Sequence, residues 1–289
     1  MSKKILLHAR HKIVGVLVAC LLGIGVGVVA YIARQNADPR SVSVAKKEVS
    51  SKPKNITGLV LPHHTVASGL VDEFLNDISI ATTVKHVIII GPNHLEAGGA
   101  AFVLSDASWD TGGGKTIPTN ASLISSVIDR YKYAAIDTSV VTHDHASYGM
   151  IPYINRHLTN VDVTAILVSR NADKSLLFSF ADRLSKLISE DDTLVIASVD
   201  FSHNVSEEVG RAQDTDTISM MEKRNYDGLL TKHGQEIDSP GSLIILDRIM
   251  SNFDRKSFAL FKRSSSAIIA GDPTIPEIVS YVFGYYGNE

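Results

Sequence analysis

Cysteine is nearly absent from this chain. The one cysteine, Cys20, lies within an apolar N-terminal stretch, so no other part of the sequence carries a thiol. This absence excludes an internal disulfide and leaves the body of the protein without a thiolate ligand for a metal. Because a body without cysteine is stable in oxidising and in reducing surroundings, cysteine content does not indicate where the protein is located.

Negative charge is missing from the first 33 residues. They hold no aspartate or glutamate, but they carry four basic side chains, Lys3, Lys4, Arg10 and Lys12. The formal net charge of the chain is -3, so taking away these four positive charges leaves -7 on the remaining residues. Nucleic-acid binding depends on clustered lysine and arginine. The mildly acidic body therefore argues against nucleic acid as a partner.

Charges of either sign are absent from residues 13–33. At a rise of about 1.5 Å per residue, an apolar helix of this length spans the roughly 30 Å hydrocarbon core of a bilayer. Basic side chains precede the run, and the positive-inside rule then places residues 1–12 in the cytoplasm and the C-terminal domain outside. The pattern predicts a single-pass membrane protein with an N-terminal transmembrane helix as its anchor.

Two other interpretations of this stretch stay open. The sequence Leu17-Val18-Ala19-Cys20 resembles a lipobox, which would make Cys20 a lipidated N-terminus. A cleaved signal peptide is the second alternative. The apolar run continues for thirteen residues beyond Cys20, where a lipoprotein normally turns polar. A cleaved signal peptide usually has a shorter apolar core. These observations favour the uncleaved anchor.

Residues 34–54 are mostly polar, contain Pro39 and Pro53, and are typical of a linker. From residue 55 to residue 289, apolar β-branched runs alternate with segments of helical periodicity. This alternation predicts a single α/β domain with a central, largely parallel or mixed sheet flanked by helices. Strands are predicted at 56–61, 85–90, 163–168, 193–199 and 257–261, and helices at 66–78, 173–188 and 243–249.

Histidine is concentrated in four short segments, which hold six of the eleven histidines of the chain. Three of the four segments directly follow apolar, β-branched runs. In an open α/β sheet, the carboxyl ends of the strands line the crevice where ligands bind. Because neutral imidazole is the commonest metal ligand in proteins, the segments indicate a metal site or an acid–base site. The segments are Leu61-Pro62-His63-His64, Gly91-Pro92-Asn93-His94, His143-Asp144-His145 and Asp200-Phe201-Ser202-His203.

Each segment also has a plain structural interpretation. A histidine at a strand end can simply begin a helix or complete a turn, and an Asp-His pair is common in solvated loops. As a functional pair, Asp144 would orient the imidazole of its neighbour His145. Asp200 or Ser202 is expected to cap the following helix, whereas His203 is predicted to be functional.

One glycine-rich segment fails as a phosphate-binding loop. The residues Gly112-Gly113-Gly114-Lys115-Thr116 resemble the end of such a loop. The full pattern needs a glycine five residues before Gly114, and Trp109 occupies that position. No predicted strand leads into it either. We therefore expect a flexible loop.

Taken together, the histidine segments resemble the MEMO family, also called AmmeMemoRadiSam system protein B. Its motifs are Pro-His after the first strand, Gly-Pro-Ser-His, an acid-His segment that runs to Leu-Pro-Tyr, and Ser-Asp-Phe-Ser/Cys-His. Four motifs in this order, over about residues 55–289, make the resemblance fairly specific. The counterparts here are Pro62-His63, Gly91 to His94, Asp144-His145 to Ile151-Pro152-Tyr153, and Ser198 to His203.

The resemblance implies a site like that of the class III extradiol dioxygenases, in which two histidines and a carboxylate hold non-haem Fe(II). It implies His63 and His94 as metal ligands. In MEMO proteins the third position is often a cysteine. The matching region here has none, and Asp238 would supply the carboxylate of a two-histidine-one-carboxylate set. The catalytic residues implied beside the metal are His145, His203 and Asp200.

The expected cofactor is a single metal ion, Fe(II) foremost, with zinc or copper as alternatives. The expected chemistry is oxidative or metal-assisted and acts on a small organic substrate. A zinc-dependent hydrolase and a non-catalytic module that binds a ligand or partner remain alternatives. Tyr148 and Met150 replace polar residues of the family, which favours the non-catalytic alternative because the pocket would lose polar groups. The family name also implies radical-SAM or AMMECR1-like partners.

Overall fold

The computed structural model describes residues 54–81, 84–129, 131–232, 234–255 and 257–288. The strands are β1 Lys54–Leu61, β2 His86–Pro92, β3 Phe102–Leu104, β4 Trp109–Gly112, β5 Lys115–Ile117, β6 Ala134–Ile136, β7 Asp162–Val168, β8 Thr193–Ser198, β9 His203–Val205, β10 Phe258–Ser265 and β11 Ile278–Asn288. The helices are α1 Ser68–Ala81, α2 Ala121–Ile128, α3 Thr138–His143, α4 His145–Tyr148, α5 Ile151–His157, α6 Lys174–Leu184, α7 Glu207–Glu222, α8 Tyr226–Leu230, α9 Pro240–Asn252 and α10 Ser266–Ala270, with a short 3-10 helix at Thr65–Ala67.

Four parallel strands form the centre of the main sheet. Within the described residues this sheet has nine strands in the order β10-β11-β1-β8-β2-β7-β3-β6, and β9 pairs with β11. Strands β1, β8, β2 and β7 run parallel to one another. Antiparallel pairs of β1 with β11 and of β7 with β3 lie on the two flanks. The predicted α/β domain with a central mixed sheet is therefore confirmed.

The central strands bury side chains on both faces of the sheet, because successive residues of a strand point to opposite sides. Ile88 and Ile90 of β2 pack on the side of α6 and α9, whereas Val87 and Ile89 pack on the side of α1 and α5. All four side chains are fully buried. Burial of each contributes roughly 1.5–3 kcal/mol. The two apolar layers hold the strand ends in place.

The predicted elements agree with the structure in type and order. The five predicted strands correspond to β1, β2, β7, β8 and β10, and the three predicted helices correspond to α1, α6 and α9. Strands β3 and β6 have three residues each, which is too short for a recognisable alternation. Helix α7 was also missing from the prediction, because polar residues occupy part of its buried face.

The glycine-rich segment is not a flexible loop. Strands β4 and β5 pair antiparallel and form a hairpin, and Lys115 lies in β5. Gly112 and Gly113 at the turn have φ angles of 88° and 63°. Glycine adopts this left-handed region without steric cost, so the run of glycines builds a tight turn. The prediction of a flexible loop was wrong, because a run of glycines also suits the tight turn of a hairpin.

The predicted cytoplasmic tail at 1–12 and the predicted anchor at 13–33 lie outside the described residues. So do the lipidation alternative at Cys20 and nearly all of the linker at 34–54. In the part of the chain that the structure describes, none of the helices combines the length and apolar character that a membrane crossing needs.

Candidate metal centre

Three imidazoles from three separate segments converge at the carboxyl edge of the sheet. His63 follows β1, His94 follows β2, and His145 begins α4. The ring centroid of His63 lies 5.2 Å from that of His94 and 4.8 Å from that of His145. The rings of His94 and His145 are stacked, with centroids 4.0 Å apart. We call these three residues the histidine cluster.

His63 is the buried member of the cluster, and β8 holds it in place. Its backbone N–H donates to Oδ1 of Asp200 at 3.2 Å, and its Nδ1 lies 3.2 Å from Oγ of Ser198. Both contacts follow from the strand order, because β8 lies between β1 and β2 and ends at Ser198. The Nε2 atom then lies 3.2 Å from Oδ2 of Asp238 and 3.5 Å from Oδ2 of Asp200.

Two carboxylates surround the Nε2 atom of His63 without forming a hydrogen bond to it. The 3.2 Å distance to Asp238 brings opposite charges together, but Nε2 makes no aligned hydrogen bond within the described residues. Burial disfavours the charged imidazole, yet the carboxylates of Asp200 and Asp238 outweigh this effect and raise the pKa of His63 to about 9. This position therefore favours a positive charge.

His94 is oriented by Asp144, which lies 50 residues further along the chain. The carboxylate of Asp144 contacts Nδ1 of His94 at 2.8 Å and accepts the backbone N–H of His94 at 3.0 Å. Burial raises the pKa of Asp144, but its hydrogen bonds and the nearby His94 charge outweigh this and lower it, so Asp144 is ionised. Because a carboxylate only accepts hydrogen bonds, Nδ1 of His94 carries a proton, and in the neutral ring, the form that binds a metal, Nε2 has the free lone pair.

The carboxylate of Asp144 lies closer to the ring of His94 than to the ring of its sequence neighbour His145. Its Oδ1 lies 4.0 Å from Nδ1 of His145, beyond hydrogen-bond distance. It also accepts the backbone N–H of Ala146 and so caps α4, the helix that begins at His145. Asp144 thus orients the ring of His94, and not that of His145 as predicted.

His145 is the exposed member of the cluster. Its side chain is 47% exposed, against 29% for His94 and 1% for His63. Partial burial and the positive charges of His94 and His63 lower the pKa of His145 to about 4. His145 is therefore neutral near pH 7, and it can accept a proton or bind a metal.

A glycine lets the helix with His145 reach the end of β2. A Cβ atom added at Gly91 would lie 2.7 Å from Cβ of Ala146, closer than side chains approach one another. The glycine of the Gly91-Pro92 segment therefore allows the stacking of His94 on His145, because it removes the side chain that would separate their backbones.

Two groups of donor atoms in the described residues could hold a metal ion. One group is His63, His94 and His145, and the other is His63, Asp200 and Asp238. Within each group the donor atoms lie within 4.8 Å of one another. His63 belongs to both groups. The predicted trio of His63, His94 and Asp238 thus takes members from both, and His145 joins the donors instead of lying only beside them.

The other histidines of the four segments lie outside both groups. His203 begins β9, where its backbone N–H donates to the carbonyl oxygen of Gln235 at 2.8 Å and its Nδ1 is buried without a hydrogen bond. Nδ1 of His64 lies 3.1 Å from the hydroxyl of Tyr281. His143 contacts a backbone carbonyl one turn earlier in α3. We assign His64 and His143 to local structure.

Asp200 does not cap a helix, contrary to the prediction from its position. Its Oδ1 accepts the backbone N–H groups of His63 and His64. The next helix, α7, begins at Glu207, where Ser206 is the cap. An aspartate after a strand is a common cap signal, but here the segment that follows β1 supplies its donors.

A buried network that the sequence did not reveal holds the segment after β8. Oδ1 of Asp214 in α7 accepts hydrogen bonds from the hydroxyls of Ser202 and Ser280, each at 2.8 Å. Its Oδ2 lies 2.6 Å from Nε of Arg263. Asp214 is fully buried. In the sequence, this network is indicated only by a charged residue on the buried face of α7. Polar neighbours interrupt the apolar pattern of that face, so the sequence does not show that it is buried.

The two residues that depart from the family pattern do not both face the histidines. Met150 is buried among apolar side chains, so the expected loss of a polar pocket group does not apply to it. Tyr148 is half-exposed and lines a surface cleft of about 710 Å³. None of the donor residues lines this cleft.

Comparison with known proteins gives consistent matches. The sequence profile of one family, described as "Memo-like protein", matches residues 31–284. A MEMO1 family protein of Thermotoga maritima is 26% identical over 81% of this chain and 84% of its own length. A MEMO1 family protein of Thermoplasma volcanium is 25% identical over 83% and 88%. An uncharacterized protein of Escherichia coli K12, known from a crystal structure, covers 78% of this chain and 99% of its own with a TM-score of 0.54; at 11% identity this shows a shared fold.

Proposed function

This chain belongs to the Memo-like protein family, and from that premise we propose that it binds one transition-metal ion and uses it on a small organic substrate. The observation that carries the proposal is the histidine cluster with two carboxylates at its buried member. Imidazole and carboxylate together suit Fe(II), zinc or copper. Fe(II) is the first choice, because two histidines and one carboxylate are its typical ligands in oxygen-using enzymes.

Two buried atoms that lack hydrogen-bond partners in the described part of the chain make this site suitable for a metal ion. Nε2 of His63 and Oδ1 of Asp238 are buried and make no hydrogen bond within the described residues. A buried polar atom without a partner costs about 1–3 kcal/mol, and a bound cation would satisfy both atoms. His94 presents Nε2 as a ligand, since a carboxylate holds its Nδ1, as is common for metal-binding histidines. We assign His63, His94 and Asp238 as the ligands.

The remaining residues of the site orient the ligands and handle protons. A bound Fe(II) would supply open positions for oxygen and substrate. Ser198 and Asp200 hold the ring and the backbone of His63. His145, neutral and half-exposed, is placed to accept a proton from a hydroxyl group that approaches the cluster. His203 near Asp200 is the second candidate for proton transfer.

Metal analysis of the full chain tests the proposal. The protein is purified without a polyhistidine tag, loaded anaerobically with Fe(II) or with zinc, freed of excess metal and analysed by mass spectrometry for metals. We expect about one ion per chain in the wild type and none in the His63→Ala/His94→Ala double variant. The matched control His143→Ala removes a histidine outside both donor groups and keeps the metal. A wild-type chain that retains no ion refutes the proposal.

Two single variants identify the third ligand. Asp238→Asn is expected to weaken metal binding by roughly tenfold or more, whereas His145→Asn is expected to leave the affinity within about threefold. If His145→Asn loses the metal and Asp238→Asn does not, the three imidazoles are the ligands. Three histidines with an open position are typical of catalytic zinc, and this group is the observation that favours a zinc-dependent hydrolase as the second candidate function.

Oxygen uptake separates the two functions. The Fe(II)-loaded chain is mixed with catechol as a probe substrate, and oxygen consumption is followed with an electrode. We expect consumption above that of the double variant for oxidative chemistry. Hydrolysis of a p-nitrophenyl ester by the zinc-loaded chain, absent in the double variant, would support the zinc-dependent hydrolase instead.

We also propose that residues 13–33 anchor the chain in a membrane with the α/β domain outside. The support is the run without charges and the basic residues before it. The test is a C-terminal fusion to alkaline phosphatase, which is active only outside the cytoplasm, followed by membrane fractionation. An inactive fusion, or one released into the soluble fraction, contradicts the proposal. Removal of lipid-linked label by Cys20→Ala would support lipidation at Cys20 instead.

A further inference from the structure

A surface cleft is lined in part by residues that flank, in sequence, the segment that carries His145. Its volume is about 710 Å³, within the range of about 300–1,000 Å³ that ligand pockets of proteins show. We call it the Tyr148 cleft. The residues that matter here are Trp109, Asp110, Thr142, Tyr148, Pro152 and Arg156.

The Tyr148 cleft and the histidine cluster draw residues from the same stretch of chain. Thr142 and Tyr148 line the cleft, and between them in sequence lie Asp144 and His145, which contact His94. Tyr148 is three residues after His145 in α4, a spacing that places Cβ atoms roughly 5–6 Å apart. Tyr148 therefore brings the lining of the cleft close to His145.

The exposure of the histidines shows the side from which the cluster is open. The side chain of His63 is 1% exposed, that of His94 is 29% exposed, and that of His145 is 47% exposed. The cluster is therefore most open at His145, the member nearest in sequence to Tyr148. Tyr148 itself is 49% exposed, so its ring is open to a ligand in the cleft.

The lining of the cleft favours an uncharged, apolar group. Tyr148, Pro152 and the edge of Trp109 provide apolar surface. The guanidinium of Arg156 is paired with Asp72, so it is not a free positive charge for an anion. Asp110 adds a negative charge to the lining. A carboxylate or phosphate on the ligand would thus find little to compensate it.

We propose that the Tyr148 cleft binds the uncharged apolar arm of the substrate while its reactive polar end reaches the histidine cluster. This inference rests on the proposed function, because it assumes that the cluster is the reacting site. The substrate class is an amphipathic molecule, with a metal-binding polar head and an aromatic or alicyclic arm.

Trp109 provides a direct readout, because it is the one tryptophan of the chain. Its indole Nε1–H donates to the carbonyl oxygen of Val163 at 3.0 Å and gives a single indole signal in a ¹⁵N–¹H spectrum of the metal-free full chain. The probes are 2-naphthalenemethanol, which is neutral, and 2-naphthoate, which is anionic. We expect a saturable shift of the Trp109 signal with the neutral probe and weaker binding of the anion. Tighter binding of 2-naphthoate would overturn the assigned ligand class.

Two exposed tyrosines form a matched pair of variants. Tyr148→Ser is expected to weaken binding of 2-naphthalenemethanol roughly 3- to 10-fold, the value of one aromatic contact. Tyr133→Ser, which changes an exposed tyrosine outside the cleft, is expected to leave it unchanged. Equal affinities of both variants and the wild type would overturn the proposal. Since the protein is free of metal in this experiment, the outcome does not depend on whether the metal site exists.

A two-part probe tests whether one ligand spans the cleft and the cluster. The zinc-loaded chain is titrated with acetohydroxamate, a metal-binding head alone, and with 4-phenylbutanohydroxamate, which adds an apolar arm. We expect tighter binding of the second compound and loss of that gain in Tyr148→Ser, with acetohydroxamate unaffected. A gain that survives in Tyr148→Ser places the arm elsewhere and refutes the inference. Failure of both hydroxamates to bind, with the Trp109 shift intact, refutes only the proposed metal function.

Discussion

Asp144 and His94 are joined at two points: one carboxylate binds the Nδ1 atom of the ring at 2.8 Å and the backbone N–H of the same residue at 3.0 Å. The double contact fixes the ring orientation and the tautomer together. It also couples the helix that begins at His145 to the end of β2, since Asp144 caps that helix.

Asp144→Asn is expected to lower metal affinity by roughly 10- to 100-fold, the usual effect of losing the partner of a ligand histidine. The amide can donate as well as accept, so it no longer specifies the proton on Nδ1 of His94. The measurement is a competition titration with a chromogenic chelator. Asp137→Asn is the matched control, because it changes the cap of α3 to another good cap residue. Unchanged affinity in Asp144→Asn would refute the orienting role.

The stability of the metal-free protein is expected to fall as the pH rises from about 6.5 to about 9. The pKa of His63 is raised to about 9 by the carboxylates of Asp200 and Asp238, which outweigh the opposing effect of burial. A raised pKa in the folded state stabilises fully below the pKa of the unfolded chain, and this contribution is lost as the pH approaches the folded value. The loss is on the order of 3 kcal/mol.

Urea unfolding of chelator-treated protein at several pH values measures this slope. His63→Gln removes the titrating group, so its stability is expected to change much less over the same range. His157→Gln is the control. It changes a histidine outside the histidine cluster and is expected to keep the wild-type slope. A metal-free wild type that gains stability between pH 6.5 and 9 contradicts the assignment.

Gly91→Ala is expected to destabilise the protein by about 1–3 kcal/mol, the usual cost of forcing an extra methyl group into a packed contact. The new Cβ would lie 2.7 Å from Cβ of Ala146 and push α4 away from β2. Metal affinity should fall with it, because the displaced helix moves its cap residue Asp144, which orients the ligand His94. Gly69→Ala is the matched control, since nothing lies within 4 Å of the added atom; its effect should be neutral or stabilising by up to about 1 kcal/mol. Chemical denaturation with both variants compares the two sites.

Asp214→Asn is expected to cost about 1.5–3 kcal/mol, because the buried guanidinium of Arg263 loses one of its two carboxylate partners among the described residues and keeps only Glu207. Asp227→Asn is the comparison. Its carboxylate pairs with Lys174 but is 81% exposed, so its loss should cost less than about 1 kcal/mol. The midpoint of urea unfolding measures both. Similar midpoints for the two variants would show that the Asp214 network contributes little to the fold.

The fold could be predicted from the sequence where several consecutive residues are apolar and buried. Strands β2, β7 and β8 are runs of β-branched residues that are covered on both faces, and such runs are visible without any tertiary information. Helix α7 escaped detection because Asp214 and Thr217 are buried on its inner face, so its apolar periodicity is interrupted. Strand β6 depends on pairing with β3, and both strands are too short to show a pattern.

The candidate site was predictable in its residue types but not in its pairings. The sequence allowed three site histidines to be recognised, His63, His94 and His145. Each lies near the end of a predicted element, at the edge of the sheet where ligands bind. Asp144 was recognisable as a carboxylate beside a histidine, but proximity in sequence indicated the wrong imidazole. In space, the ring of His94 is nearer to the carboxylate than the ring of His145 is.

The sequence by itself determined which donors this protein has and at which strand ends they lie, because apolar runs stop abruptly at Leu61, Pro92 and Ser198. Only the tertiary structure decided which donors meet. Strand β8 lies between β1 and β2, so Asp200 contacts His63 across 137 residues of sequence. Such contacts depend on strand order and on how closely a helix can approach Gly91, and these are set by packing of the whole sheet, which no local pattern records.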